Sequence, residues 1–211
     1  MNHHAMPQSF RKAALSLLFS FPLALPLALG ACSPQGSEAP ANPPLEGADI
    51  GGSFELVDKH GETVRWSDFD GSYRVVYFGY TYCPDVCPTD VQRMMQGYRE
   101  FAKQQPELAD QIRPIFISVD PERDTPQVVG EFAAAFSDRL IGLTGTPEQV
   151  KAAADKFRVF YSHGEEMPGG GYLVNHSAIA YLFDKAGKPL ATLPTDQGPE
   201  AVAAELAKWV N

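Results

Sequence analysis

The run Cys83-Pro-Asp-Val-Cys87-Pro88 carries the densest chemistry in the chain. It follows Arg74-Val-Val-Tyr-Phe78, a continuous apolar run that reads as a buried strand, and it precedes residues 89–105, where Val91, Met94, Met95, Tyr98 and Phe101 recur at helical spacing. The unpaired amides at a helix N-terminus stabilise an anion, which lowers a thiol's pKa and favours the thiolate that attacks disulfides or binds metal. Pro88 suits the first helical turn, where no amide donor is required. A spacing of four lets the two sulfurs face each other, as a reversible disulfide or as a two-sulfur clamp for one ion. Thiolates are soft, so Cu(I) is the natural guest. A permanent disulfide is the bland alternative, but the loop it closes is so short that little unfolded-chain entropy is removed. Closed zinc sites take four ligands, and this segment supplies two.

A third ligand is therefore sought elsewhere, and His176 in Val174-Asn-His-Ser177 is the strongest candidate. It stands just before the apolar run 177–183, a strand that should pass beside the cysteine loop. His163 is the weaker choice, His60 reads as a solvated turn residue, and His3 and His4 are leader residues. Met94 and Met95 read as core. Asp120, at the end of the second buried strand, either orients a ligand from behind or caps the following turn. Asp124 reads as a helix-start residue ahead of Thr125-Pro126, and Asp85 as a partner-facing or turn-forming carboxylate.

The elements that must position these residues follow from hydrophobic period and punctuation. Phe54-Glu-Leu-Val57 and Thr63-Val-Arg-Trp66 flank the turn Lys59-His-Gly61 as a hairpin. Residues 113–119 form a second buried strand, and helices are expected over 126–136 and 147–157. Residues 159–161 read as a short strand, and the glycine-rich stretch 163–172 as a mobile loop. Strands over 177–183 and 189–193 with a closing helix over 199–210 complete the order. A βαβ half and a ββα half, with both cysteines between the first long strand and its helix, form a thioredoxin-like α/β arrangement: a central mixed sheet flanked by helices, with an N-terminal β-hairpin. Thioredoxins place a cis-proline before the later strand pair, whereas this sequence has no proline between Pro168 and Pro189 and offers an imidazole there instead.

The N-terminus reads as an address. Arg11 and Lys12 precede a charge-free run over 13–29, and Leu29-Gly30-Ala31-Cys32 resembles the lipobox of bacterial lipoproteins. On that reading 1–31 is a lipoprotein signal peptide, Cys32 the lipidated first residue of the mature chain, 32–50 a flexible proline-rich linker, and 51–211 the folded domain; the alternative is an uncleaved membrane anchor with Cys32 a bystander. The protein is then exported, tethered to the bacterial cell envelope and facing the periplasm. The 211 residues hold 26 acidic and 17 basic side chains, a net charge of −9, which argues against a nucleic-acid partner.

Phe78-Gly-Tyr-Thr-Tyr-Cys83-Pro-Asp-Val-Cys87-Pro88, Ser118-Val-Asp120-Pro-Glu-Arg-Asp124-Thr-Pro126, Leu143-Thr-Gly-Thr146 and Asn175-His176-Ser together closely resemble the Sco/SenC family of copper-binding assembly proteins. The resemblance runs from about Gly51 to the C-terminus, and it implies a thioredoxin fold that binds one copper ion, Cu(I) or Cu(II), through Cys83, Cys87 and His176. It implies work on the CuA centre of cytochrome c oxidase subunit II, by copper delivery or by reduction of the acceptor's cysteines, with another copper chaperone as a further partner. A single tethered domain is most simply a monomer. Two readings of other classes use the same cysteines: a thiol-disulfide reductase or peroxidase, and a copper or redox sensor.

Overall fold

The computed structural model describes residues 42–167 and 170–211. A hairpin of β1 (Glu55–Val57) and β2 (Thr63–Arg65) opens the domain, with Leu56 opposite Val64. Its turn is closed by Asp58, whose Oδ1 accepts from the amides of His60 and Glu62 at 2.8 and 3.0 Å. A 3₁₀ turn over Trp66–Phe69 leads to β3 (Tyr73–Gly79), then α1 (Val86–Gln104), the single turn α2 (Pro106–Ala109) and β4 (Ile112–Ser118). The order continues with α3 (Pro126–Phe136), β5 (Ile141–Leu143), α4 (Pro147–Lys156), β6 (Tyr161–Glu166), β7 (Tyr172–His176), β8 (Ala180–Phe183), β9 (Pro189–Leu193) and α5 (Pro199–Trp209).

The central sheet runs β5-β4-β3-β8-β9, parallel across its first three strands and antiparallel beyond β3. This is the expected mixed sheet. Its middle strand is buried at all seven positions, covered on both faces of the sheet, and the run is nearly all apolar for that reason. Arg74 is the exception: its guanidinium sits 4.6 Å over the Trp66 ring, donating to Asp70 at 2.7 Å and to the Asp184 carbonyl at 3.1 Å. Helix α1 crosses α5 at Gly97, where a Cβ would lie 2.6 Å from the Pro199 carbonyl oxygen and from Val202. Met94 and Met95 are buried in this packing, as core residues.

Several boundaries differ from the sequence reading. Helix α1 begins at Val86, three residues early, so Cys87 belongs to its first turn. Of the stretch 163–172, expected as a mobile loop, residues 163–166 and 172 belong to a two-stranded sheet, in which His163 pairs with Val174 and Glu166 with Tyr172, while Tyr161 pairs with His176 and Ser162 with Asn175 beside it. Much of this hairpin faces water, so its strands need no apolar alternation, and polar composition alone read as loop. The short strand expected at 159–161 begins at Tyr161 instead. Helix α2 and strand β5 were not foreseen; each is too brief to show a period.

Residues 42–50, expected inside the flexible linker, are joined to the domain. The Leu45 amide donates to the Leu190 carbonyl at 3.0 Å, and Arg158 pairs with Asp49. The expected signal peptide, Cys32 and the rest of the linker lie outside the described residues. Among the described residues no helix is long and apolar enough to cross a membrane.

Candidate metal centre

Cys83 leaves the segment after β3, and Cys87 sits in the first turn of α1. The segment is pinned from behind by Asp124, a fully buried carboxylate. It accepts from the Thr81 amide at 2.9 Å, the Thr81 hydroxyl at 2.6 Å and the Ser118 hydroxyl at 2.6 Å. Burial pushes the Asp124 carboxyl above the ordinary carboxylate range against the pull of these three bonds. Asp124 is thus not the helix-start residue expected. Thr125 is the N-cap of α3, its hydroxyl accepting from the Val128 amide, while Asp124 turns inward because Thr81 and Ser118 offer buried donors.

Gly79 closes β3 under the Cys87 sulfur. A Cβ there would stand 3.0 Å from Cys87 Sγ, Phe116 and Tyr77, so the sulfur reaches the end of the strand only because this residue has no side chain. The Cys87 amide, at the helix N-terminus, approaches Cys83 Sγ at 3.4 Å. His176 ends β7 and brings Nε2 within 3.1 Å of Cys87 Sγ. Its Nδ1 lies 3.3 Å from the Ser177 carbonyl, which can only accept. That contact fits the tautomer protonated at Nδ1, with the Nε2 lone pair facing the sulfurs. Tyr77 and Tyr80 hold the imidazole edge-on, at centroid distances of 6.3 and 5.9 Å. The ligand atoms of Cys83, Cys87 and His176 all lie within 4.8 Å of one another.

The two thiols are unequal: Cys83 is the more acidic and Cys87 the less. Hydrogen bonding with Cys87, helped by the Cys87 and Asp85 amides, outweighs burial and holds Cys83 well below the usual thiol range. The same bond to Cys83, together with burial, pushes Cys87 up. Tyr77 is likewise pushed up, first by burial and then by the neighbouring Cys87, and its hydroxyl donates to Asp90 at 3.1 Å. Two sulfurs and one imidazole nitrogen can hold one soft metal ion with an open side.

The remaining candidates fall elsewhere. His163 is exposed, stacked on Tyr172 at 4.1 Å, and is not among the residues that converge on the sulfurs. Asp85 is exposed and makes no side-chain cap to α1. Asp120 is buried; one carboxylate oxygen accepts from Arg123 Nε at 2.5 Å, the other from the Tyr172 hydroxyl at 2.8 Å. It thus hydrogen-bonds neighbours of the site, not the three ligand candidates. Burial and the bond to Asp120 push Tyr172 up to about 12. Sequence reasoning missed Tyr80, Arg123 and Tyr172, although Arg123 lies in the quoted Asp120–Asp124 run. Tyr82, Val86 and Phe160 are large exposed apolar side chains. Tyr82 and Val86 each precede a cysteine, and Phe160 is backbone-bonded to Ser177, next to His176.

The family profile described as SCO1/SenC matches residues 42–211. An SCO2-like protein of Rickettsia felis is 38% identical over 155 residues, covering 72% of this chain and 73% of the relative. The copper-bound structure of Bradyrhizobium japonicum ScoI is 36% identical with a TM-score of 0.67, over 76% of this chain and 99% of that one. Copper-bound yeast Sco1 is 31% identical with a TM-score of 0.70, over 77% of this chain and 88% of that one. Fold, cysteine pair and profile converge, and the chain belongs to the SCO1/SenC family.

Proposed function

We propose that this protein is an exported copper metallochaperone for the CuA centre of cytochrome c oxidase, tethered to the cell envelope through a lipidated Cys32 and binding one copper ion through Cys83, Cys87 and His176. The observation that carries the reading is the convergence of these three donor atoms within 4.8 Å of one another. Copper fits this set by softness and by number, and relatives with the same fold hold copper. Three ligands leave the ion a free side, so an acceptor sulfur can join before a donor leaves, and the cargo passes by exchange. The exposed Tyr82 and Val86 beside the cysteines offer an apolar contact to the acceptor. The organisation is signal peptide 1–31, tether from 32, and copper-binding domain.

A second reading is favoured by the unequal thiols. The Cys83 thiolate can attack an acceptor disulfide, and Cys87 then displaces the acceptor thiol. The acceptor pair is reduced as Cys83–Cys87 is oxidised, so the electrons balance without a metal. The two are separated by mixing the protein with a soluble subunit II CuA domain and following both partners by native mass spectrometry. Transfer of one copper to the reduced acceptor, abolished in His176→Ala, supports delivery. Reduction of a disulfide-bonded acceptor by metal-free protein, with His176→Ala as active as wild type and no copper transfer, supports reduction instead.

A further inference from the structure

We propose that Arg123 is a positioning residue for the metal centre: it ties the strand that ends in His176 to the segment that carries Cys83, and so presents the imidazole to the sulfurs. This rests on His176 being a ligand. Strands β6 and β7 form a sheet of their own, not hydrogen-bonded to the central five strands. Among the described residues no ladder joins β7 to the central sheet; beyond the short link from His176 to β8, whose Ala180 pairs with Tyr77, side-chain ties hold β7 against the cysteine segment.

Arg123 supplies them from the turn after β4. Its Nη1 donates to the Tyr172 carbonyl at 2.8 Å, and its guanidinium lies 3.7 Å over the Tyr172 ring, at the start of β7. The same group lies 5.1 Å from the Tyr82 ring and 5.7 Å from the Tyr80 ring, on the segment that leads into Cys83. Tyr80 in turn meets the His176 ring edge-on. Asp120 closes the arrangement, since its two oxygens hold Arg123 Nε and the Tyr172 hydroxyl, so that Arg123, Asp120 and Tyr172 form a ring of contacts. A planar fork that stacks and donates in two directions can do this, and a lysine ammonium cannot. Asp120, which touches no ligand candidate, acts through Arg123.

The test is Cu(I) affinity of the full mature chain, reduced and anaerobic, by competition with a chromogenic chelator, with X-ray absorption to count nitrogen and sulfur ligands. The variants are Arg123→Ala, Arg123→Lys, His176→Ala and the Arg123→Ala/His176→Ala double. Arg123→Ala should weaken copper binding by about ten- to a hundredfold, as loss of a group behind a ligand does. Its nitrogen signal should fall while both sulfurs remain, Arg123→Lys should not rescue it, and the double variant should bind no worse than His176→Ala. Losses that multiply in the double variant overturn the proposal, as does Arg123→Ala binding like wild type while His176→Ala is weakened. His176→Ala binding like wild type removes the ligand reading itself and this proposal with it. Should Arg123→Ala fail to fold, Tyr172→Leu removes the stacked ring and keeps the carbonyl. It must then show the same loss of nitrogen, and unchanged affinity in that variant refutes the tie.

Discussion

Replacing Asp124 with alanine strands three donors at once, and the cost follows from their geometry. The Thr81 amide has a fixed direction and no freedom to find another acceptor, so its loss costs about 1–3 kcal/mol; the hydroxyls of Thr81 and Ser118 can rotate, and each costs roughly 0.5–1.5 kcal/mol. Relief from holding a buried carboxyl offsets part of this. The net expectation is a destabilisation of roughly 3 kcal/mol, a large share of the 5–15 kcal/mol of a typical domain. Urea unfolding of the reduced, metal-free protein reads it. With a slope of about 2 kcal/mol per molar, the midpoint should fall by about 1.5 M. Thr81 stands two residues before Cys83, so the variant that still folds should also bind copper more weakly. A midpoint lowered by less than about 0.3 M would refute the claim that Asp124 pins the segment.

Asp124→Asn gives a test of sign. Because burial raises the native carboxyl's pKa, the folded chain holds that proton more tightly than the unfolded chain, so this group's stabilising contribution is present at low pH and is lost as pH rises through the raised value. The stability of wild type relative to Asp124→Asn should therefore fall as pH rises from about 4, the unfolded carboxyl's value, through the raised native value; a relative stability that rises over that range contradicts the shift. Gly79→Ala places a methyl 3.0 Å from Cys87 Sγ and should cost about 1–3 kcal/mol in thermal or urea unfolding, with copper affinity lowered as well. Iodoacetamide should label Cys83 ahead of Cys87, at a rate nearly flat from about pH 6 to 8, where an ordinary thiol speeds up by about tenfold per unit. Peptide mapping that finds Cys87 labelled first would reverse the order of acidity.

The sequence made the chemistry legible because the cysteine pair sits at a strand-to-helix junction, the place where helix amides meet a loop. The central strands were legible for a related reason: β3 and β4 are buried on both faces and so read as unbroken apolar runs. The hairpin that delivers His176 was not legible. Residues 161–166 are polar, with Gly164 packed so close to the Leu173 carbonyl that a Cβ would lie 2.8 Å from it, and glycine in such a stretch reads as loop. Asp124 was misread because an aspartate ahead of Thr-Pro carries a capping signal whichever way it points. Only the fold shows Thr81 and Ser118 behind it. Arg123 was passed over for the same reason: its partners Tyr80, Tyr82 and Tyr172 come from two other segments, and no local pattern joins them.

The most direct measurement of the central claim is anaerobic copper titration of the reduced protein, with X-ray absorption at saturation, for wild type, His176→Ala and Cys83→Ala/Cys87→Ala. The account predicts one copper held by two sulfurs and one nitrogen, the nitrogen lost in His176→Ala and binding abolished when both cysteines are removed. No tight copper binding by wild type, or a nitrogen that persists without His176, would contradict it.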